Sequence, residues 1–134
     1  EVLNRDVKVE CRPYLDSGIK NQDSNWDDKF WNTTNISSKG NRAFIEAHTM
    51  KTNFATCTFM QVDVKVGQEL WSLQKTEEAE GKVAHLYSGS VSKGQKITLI
   101  KFGGYTTSRY HEPEALVTAG NNAMDKATKL GFNT

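Results

Sequence analysis

The stretch Phe-Ala-Thr-Cys-Thr-Phe-Met-Gln-Val-Asp-Val-Lys-Val, residues 54–66, decides the fold class of this chain. Side chains alternate between the two faces of a strand, and apolar or β-branched residues occupy the even positions here: Phe54, Thr56, Thr58, Met60, Val62 and Val64. Strand-like patterns recur in residues 2–11, 43–50, 83–91 and 96–103. Short strands with turns between them predict a mainly β fold, an antiparallel β-sandwich.

The last part of the chain has a helical period instead. Pro113 suits the first position of a helix, and Gly131 supplies a C-terminal stop. Between them an apolar stripe recurs at helical spacing: Leu116, Ala119, Ala123, Ala127 and Leu130. The sequence therefore predicts one C-terminal α-helix that packs closely against another surface, of which the sheet of the same domain is the simplest interpretation. This change of pattern divides the chain into a β-sandwich portion over 1–108 and a helical segment over 109–134.

Residues 12–40, inside the sandwich portion, are mostly polar and contain an aromatic cluster of Trp26, Phe30 and Trp31. This pattern predicts a long loop, and long loops inside compact domains are often functional or interfacial. The aromatic cluster has three interpretations, which the sequence leaves open. It could form a minor core under the loop, a contact with another domain, or a surface that stacks on sugar rings.

Composition and charge exclude several classes of protein. The chain has 134 residues and a formal net charge of +1 that is evenly spread, which argues against a nucleic-acid partner or a polybasic membrane surface. No apolar run reaches the ~18 residues that a membrane span needs. Cys11 and Cys57 lie in strand-like stretches, where free buried thiols are expected, and this favours a reducing cytoplasm. Because the chain begins with Glu1, we expect it to be part of a longer protein.

The ionisable residues do not form a recognisable active site. One acidic cluster stands out, formed by Asp16, Asp23, Asp27 and Asp28. Paired carboxylates can serve as acid and base in sugar hydrolysis, but carboxylates in a loop usually only solvate it. Residues 23–27 imitate the start of a calcium loop, yet Asp28 stands where glycine is required and Thr34 where the bidentate glutamate belongs. We therefore predict no catalytic residue, no metal and no cofactor in this chain.

Several motifs together resemble one family of enzymes. In chain order they are Pro13-Tyr14-Leu15-Asp16, Lys20-Asn21, Asp23-Ser24-Asn25-Trp26-Asp27-Asp28-Lys29-Phe30-Trp31, Thr49-Met50-Lys51-Thr52-Asn53-Phe54, Tyr105-Thr106-Thr107-Ser108-Arg109, His111-Glu112-Pro113 and Leu130-Gly131-Phe132. They cover most of the chain and resemble the non-catalytic N-terminal β-sandwich domain of maltose phosphorylases. These enzymes belong to the trehalose, kojibiose and maltose phosphorylase family of glycoside hydrolases.

The resemblance implies a domain of a cytoplasmic, homodimeric, inverting phosphorylase that converts maltose and inorganic phosphate into β-glucose 1-phosphate and glucose. Phosphate is already a nucleophile, so such a reaction needs only the carboxylic acid that protonates the leaving oxygen. In the family that acid and the phosphate site lie in a downstream (α/α)6 barrel, so no catalytic residue is carried over to this chain. The sandwich would then be part of a larger super-sandwich with exposed edges or an exposed apolar face. Residues 109–134 would be a linker helix toward the barrel.

Two functions follow from these observations. The first is an accessory domain that supports the catalytic barrel of a disaccharide phosphorylase, and the alternative is a free-standing carbohydrate-binding module. A structural sandwich without a ligand is a third interpretation. Sugar binding and domain contact would use the same candidate residues: Asp16, Asn21, Asp23, Asn25, Trp26, Phe30 and Trp31.

Overall fold

The computed structural model describes residues 1–18, 20 and 29–132. Within this part, the strands are β1 (Val7–Cys11), β2 (Tyr14–Asp16), β3 (Trp31–Lys39), β4 (Arg42–Thr49), β5 (Ala55–Val66), β6 (Glu69–Leu70), β7 (Lys75–Ala79), β8 (Lys82–Val91) and β9 (Ile97–Thr107). The helix α1 (Leu116–Leu130) follows a single 3-10 turn at Pro113–Ala115. The strands form two antiparallel sheets, so the predicted mainly β fold with one C-terminal helix is confirmed.

The larger sheet has five strands, with β5 at its centre. β4 pairs with the first half of β5, β9 pairs with nearly its whole length from the other side, and β3 extends the sheet beyond β4. β6 forms a short hairpin with the end of β5. Among the described residues, β3 and β9 each have a strand on one side only, so both long strands present a free edge.

The smaller sheet is built around β8. β1 and β2 pair with one edge of β8, and β7 pairs with the other edge. Pro13 interrupts the first edge because proline has no N–H to donate to the ladder. The backbone N–H of His85 nevertheless donates to the Pro13 carbonyl at 2.9 Å, so β1 and β2 continue one another along β8.

The main core lies between the two sheets. It contains Met60 and Val62 from β5, together with Val83 and Tyr87 from β8. The Tyr87 hydroxyl donates to the Val62 carbonyl at 3.1 Å, so this buried polar group has a partner. The predicted alternation is therefore confirmed for this half of β5, where even positions face the smaller sheet.

A second core lies on the opposite face of the larger sheet, under α1. Cys57 and Phe59, at odd positions of β5, are buried there against Leu116 and Met124 of the helix. Both faces of β5 are thus covered, which a simple period of two does not anticipate.

No helix among the described residues is long and apolar enough to cross a membrane.

The helix presents a different face to the sheet than its alanine spacing predicts. Its buried residues are Leu116, Gly120 and Met124, whereas Ala123 and Leu130 of the predicted stripe are exposed. Gly120 allows the close approach, because a Cβ at this position would overlap the ring of Phe59. Residues 116, 120 and 124 are spaced four apart, so they lie in one row on the same face of the helix, and such rows commonly form the contacts of packed helices.

The prediction of one long loop over 12–40 is wrong, because β2 and β3 lie within it. β3 is a mostly polar edge strand, so no continuous apolar pattern marks it. A register shift between Thr33 and Asn35 also moves the alternation of its side chains by one residue. The charged residues 74–81, which show no strand-like pattern in the sequence, also contain an edge strand, β7, that pairs with β8.

Candidate functional site

The candidate site is an open cleft at one end of the sandwich. The inner face of the larger sheet reaches past the end of the smaller sheet there, and the uncovered part forms a cleft of about 290 Å³. Its lining comes from β2 and the residue after it, from β3, β4 and β5, and from β9: Asp16, Ser17, Trp31, Ile45, Ala47, Thr56, Thr58 and Tyr105.

The floor of the cleft consists of rows of side chains that run across the strands. Ile45, Thr58 and Tyr105 are direct partners on β4, β5 and β9, and Ala47 is the partner of Thr56 in the next row. Directly opposed residues of antiparallel strands share a face, so these side chains all point into the cleft. Ile45 and Ala47 are buried and make the floor apolar, while the two threonines add hydroxyl groups.

Two aromatic side chains stand on opposite sides of this floor. Trp31 begins β3 and packs edge-to-face against Phe54, with the ring centroids 6.4 Å apart. Tyr105 lies on β9 and is 75% exposed. Three inter-strand steps separate β3 from β9, about 14 Å across the sheet at roughly 4.8 Å per step. Trp31 pairs with Thr49, so it also lies farther along the strands than Tyr105, which pairs with Thr58. The cleft is therefore broad, with an aromatic ring at each side.

The polar wall comes from the end of the smaller sheet. The backbone N–H of Gly18 donates to Asp16 Oδ1 at 2.8 Å, which fixes the carboxylate at the rim. Ser17 Oγ donates to the Gly81 carbonyl at 3.0 Å and lies 2.6 Å from Thr33 Oγ1. Because a serine hydroxyl has a single proton, Thr33 supplies the hydrogen of the second bond. These bonds join the smaller sheet to β3 at the base of the cleft.

The structure brings together two of the seven candidate residues predicted from the sequence, Asp16 and Trp31. Phe30 is 39% exposed and does not line the cleft. Asn21, Asp23, Asn25 and Trp26 lie outside the described residues.

Sequence reasoning missed the other six lining residues: Ser17, Ile45, Ala47, Thr56, Thr58 and Tyr105. A signal for the threonines was present in the chain. They interrupt the apolar even positions of residues 54–66 at one end, which is where the covering sheet stops. Tyr105 had no such signal, because it follows Gly103 and Gly104 in a strand that was predicted to end at 103.

The cleft has the composition of a binding surface rather than of an acid–base centre. Asp16 is the single carboxylate among the described lining residues, and no histidine, cysteine, lysine or arginine accompanies it. In the part of the chain that the structure describes, no three His, Cys, Asp or Glu residues are grouped so as to hold a metal ion. The arrangement can stack on a flat apolar ligand surface and form hydrogen bonds with it.

A second polar cluster is buried between the sheets. His85 Nε2 lies 2.9 Å from Ser38 Oγ, and Ser38 Oγ lies 3.3 Å from Thr76 Oγ1. His85 Nδ1 has no hydrogen-bond partner among the described residues, and burial lowers the pKa of His85. Because the histidine is completely buried, these residues join the two sheets and offer no access to a substrate.

Comparisons with known proteins cover all or nearly all of the chain. The family described as "Glycosyl hydrolase family 65, N-terminal domain" matches residues 1–134. A maltose phosphorylase from Bacillus subtilis (strain 168) is 26% identical over 133 residues, which are 98% of this chain and 17% of that protein. A solved structure of a candidate kojibiose phosphorylase from the human microbiome has the same fold, with a TM-score of 0.77 and 17% identity. That match covers 95% of this chain and 16% of the solved one.

Proposed function

This chain belongs to the glycosyl hydrolase family 65 N-terminal domains, and from that premise we propose that it is the accessory, non-catalytic domain of an inverting disaccharide phosphorylase. The family match over all of residues 1–134 is the observation that carries the proposal. The chain spans about one-sixth of the length of the relatives it matches, so in those proteins most of the polypeptide lies outside the matching region.

The proposed reaction transfers a glucosyl group from maltose to inorganic phosphate. A phosphate oxygen attacks the anomeric carbon, the glycosidic C–O bond breaks, and a carboxylic acid gives its proton to the leaving glucose, which leaves β-glucose 1-phosphate. Asp16 is the only carboxylate among the described lining residues of the cleft, and none of those lining residues is a histidine, lysine or arginine that could hold phosphate. We assign the acid and the phosphate site to an (α/α)6 barrel of the same enzyme.

The accessory role requires a surface that meets the barrel. Leu130 and Phe132, at the end of α1, are 67% and 76% exposed. Exposed apolar side chains that lie close together are typical of protein interfaces. We propose that this end of residues 109–134 is the linker and packs on the barrel. By the same resemblance, the enzyme is a cytoplasmic homodimer.

The alternative, a free-standing carbohydrate-binding module, has less support. Its supporting observation is the cleft itself, whose aromatic rings and hydroxyls suit a sugar. Against it, both relatives contain the matching region within a much longer chain. A binding cleft is compatible with either role, whereas the family match points to the accessory domain.

A phosphorolysis assay tests the proposal. The purified chain is incubated with maltose and inorganic phosphate, and glucose 1-phosphate is measured with a coupled enzyme assay. We expect no product above the protein-free control. Phosphate-dependent formation of glucose 1-phosphate by the chain alone would contradict the non-catalytic role.

A further inference from the structure

We propose that the cleft between Trp31 and Tyr105 is a binding site for a neutral glycoside, held on the proposed accessory domain. The inference goes beyond the accessory role, because it assigns a ligand to a part of the fold that performs no chemistry. It rests on the shape and lining of the cleft and does not require that the enzyme be a phosphorylase.

The aromatic side chains supply the first argument. The faces of pyranose rings carry C–H groups, which pack against the negative faces of tryptophan and tyrosine rings. The contact with Phe54 holds the ring of Trp31 at one side of the cleft. Tyr105 stands at the other side, 75% exposed. A half-buried tryptophan ring at one side of the floor and an exposed tyrosine ring at the other suit a ligand with an apolar face at each end, such as a disaccharide.

The floor supplies the second argument. Ile45 and Ala47 are buried and present apolar surface, while the hydroxyls of Thr56 and Thr58 lie among them. Thr56 Oγ1 donates a long bond of 3.4 Å to the Ala47 carbonyl, so its lone pairs remain able to accept from a ligand hydroxyl. A mostly apolar pocket with a few fixed polar groups is the usual form of a small-molecule site.

Charge distinguishes the class of ligand. Asp16 contributes a carboxylate that the Gly18 N–H holds in place, and a carboxylate accepts hydrogen bonds from neighbouring sugar hydroxyls. The same negative charge repels phosphate, and no lysine, arginine or histidine is among the described lining residues. Lys82, the cross-strand partner of Asp16, lies outside that lining, with its Nζ 4.2 Å from the centroid of the Tyr14 ring. The cleft therefore favours a neutral sugar over a sugar phosphate.

The test is an NMR titration of the ¹⁵N-labelled chain with maltose, kojibiose and, as the charged comparison, glucose 1-phosphate. We expect saturable shifts for the Trp31 indole N–H and for the amides of Thr58 and Tyr105 with the neutral disaccharides. Glucose 1-phosphate should bind at least several-fold more weakly. Trp31→Ala should weaken binding by about tenfold, at the upper end of what an aromatic contact supplies.

Matched variants keep the test decisive even if Trp31→Ala does not fold. Tyr105→Ala should weaken binding several-fold, whereas Tyr110→Ala should not, although both tyrosines are 75% exposed. Thr58→Val keeps the shape of the side chain and removes its hydroxyl, so it measures the contribution of that hydroxyl to sugar binding. If no neutral sugar gives a saturable shift in the native chain, or if the shifts lie elsewhere and survive Tyr105→Ala, the proposed site is wrong. The phosphorolysis assay is independent of this result, so either proposal can fail alone.

Discussion

Gly120→Ala tests the packing of α1 on the larger sheet. Gly120 is buried in the middle of the helix, and a Cβ built on it would overlap Cε2 and Cζ of the Phe59 ring. Phe59 is 1% exposed and is confined by Phe44, Leu116 and the helix, so the ring has little room to move aside. The added methyl group must therefore push the helix away from the sheet.

The expected size of the effect is a difference of two opposing contributions. Alanine is favoured over glycine in a helix by about 1 kcal/mol, whereas overpacking a well-filled core costs about 1–3 kcal/mol. Overlap with two ring atoms puts this site at the upper end of that range, so we expect a net loss of about 1–2 kcal/mol. For a protein of this size, that loss lowers the midpoint of urea unfolding by on the order of 1 M.

Urea unfolding followed by circular dichroism measures this change, and two further variants control it. Gly104→Ala adds a methyl group where nothing lies within 4 Å, and it should be neutral or slightly stabilising. Phe59→Leu removes Cε2 and Cζ, so Gly120→Ala should cost at least ~1 kcal/mol less in that background. If Gly120→Ala stabilises the native chain by the full helix-propensity difference, the close contact between α1 and β5 does not exist.

Two titratable groups give further predictions. Burial lowers the pKa of His85, so the unfolded state binds more protons near its ordinary pKa of about 6.5, and stability should fall as pH decreases below that value. Urea midpoints at pH 7.5 and 5.5 should differ more in the native chain than in His85→Leu, and an equal difference would contradict this. Burial, with a smaller contribution from Glu46, raises the pKa of Cys57 to about 12, so a thiol reagent at pH 8 should label the half-buried Cys11 first. Single-cysteine variants assign the rates, and equal labelling of both thiols in the folded chain would refute the burial of Cys57.

Much of the fold follows from patterns in single strands. β5 and β8 have many apolar residues because they lie at the centres of their sheets, and both are evident in the sequence. β3 and β7 are edge strands, for which polar side chains are acceptable on the solvent side, so their sequences resemble loops. The helix was predictable from Pro113 and Gly131, but the buried face depended on the fit of Gly120 to Phe59, which is a tertiary contact.

The site was predictable only in part, for a similar reason. Asp16 and Trp31 lie at the two ends of a polar stretch. The acidic and aromatic residues of that stretch were enough to mark both as candidates. Thr58 and Tyr105 join them only through the register of β5 with β9, which no local pattern specifies. The cleft itself exists because the larger sheet extends beyond the smaller one, and the relative length of two sheets is not a property of any single segment.

The central claim is that this chain supports catalysis without supplying catalytic residues, and a chimera tests it most directly. The chain replaces the matching 17% of the Bacillus subtilis maltose phosphorylase, and its activity is compared with that of the same enzyme lacking the segment. We expect the deletion to abolish phosphorolysis and the chimera to restore it. Leu130→Asp with Phe132→Asp should remove the restored activity, whereas Leu70→Asp, which also changes an exposed leucine, should not. A folded chimera no more active than the deletion, or a deletion that keeps full activity, would contradict the account.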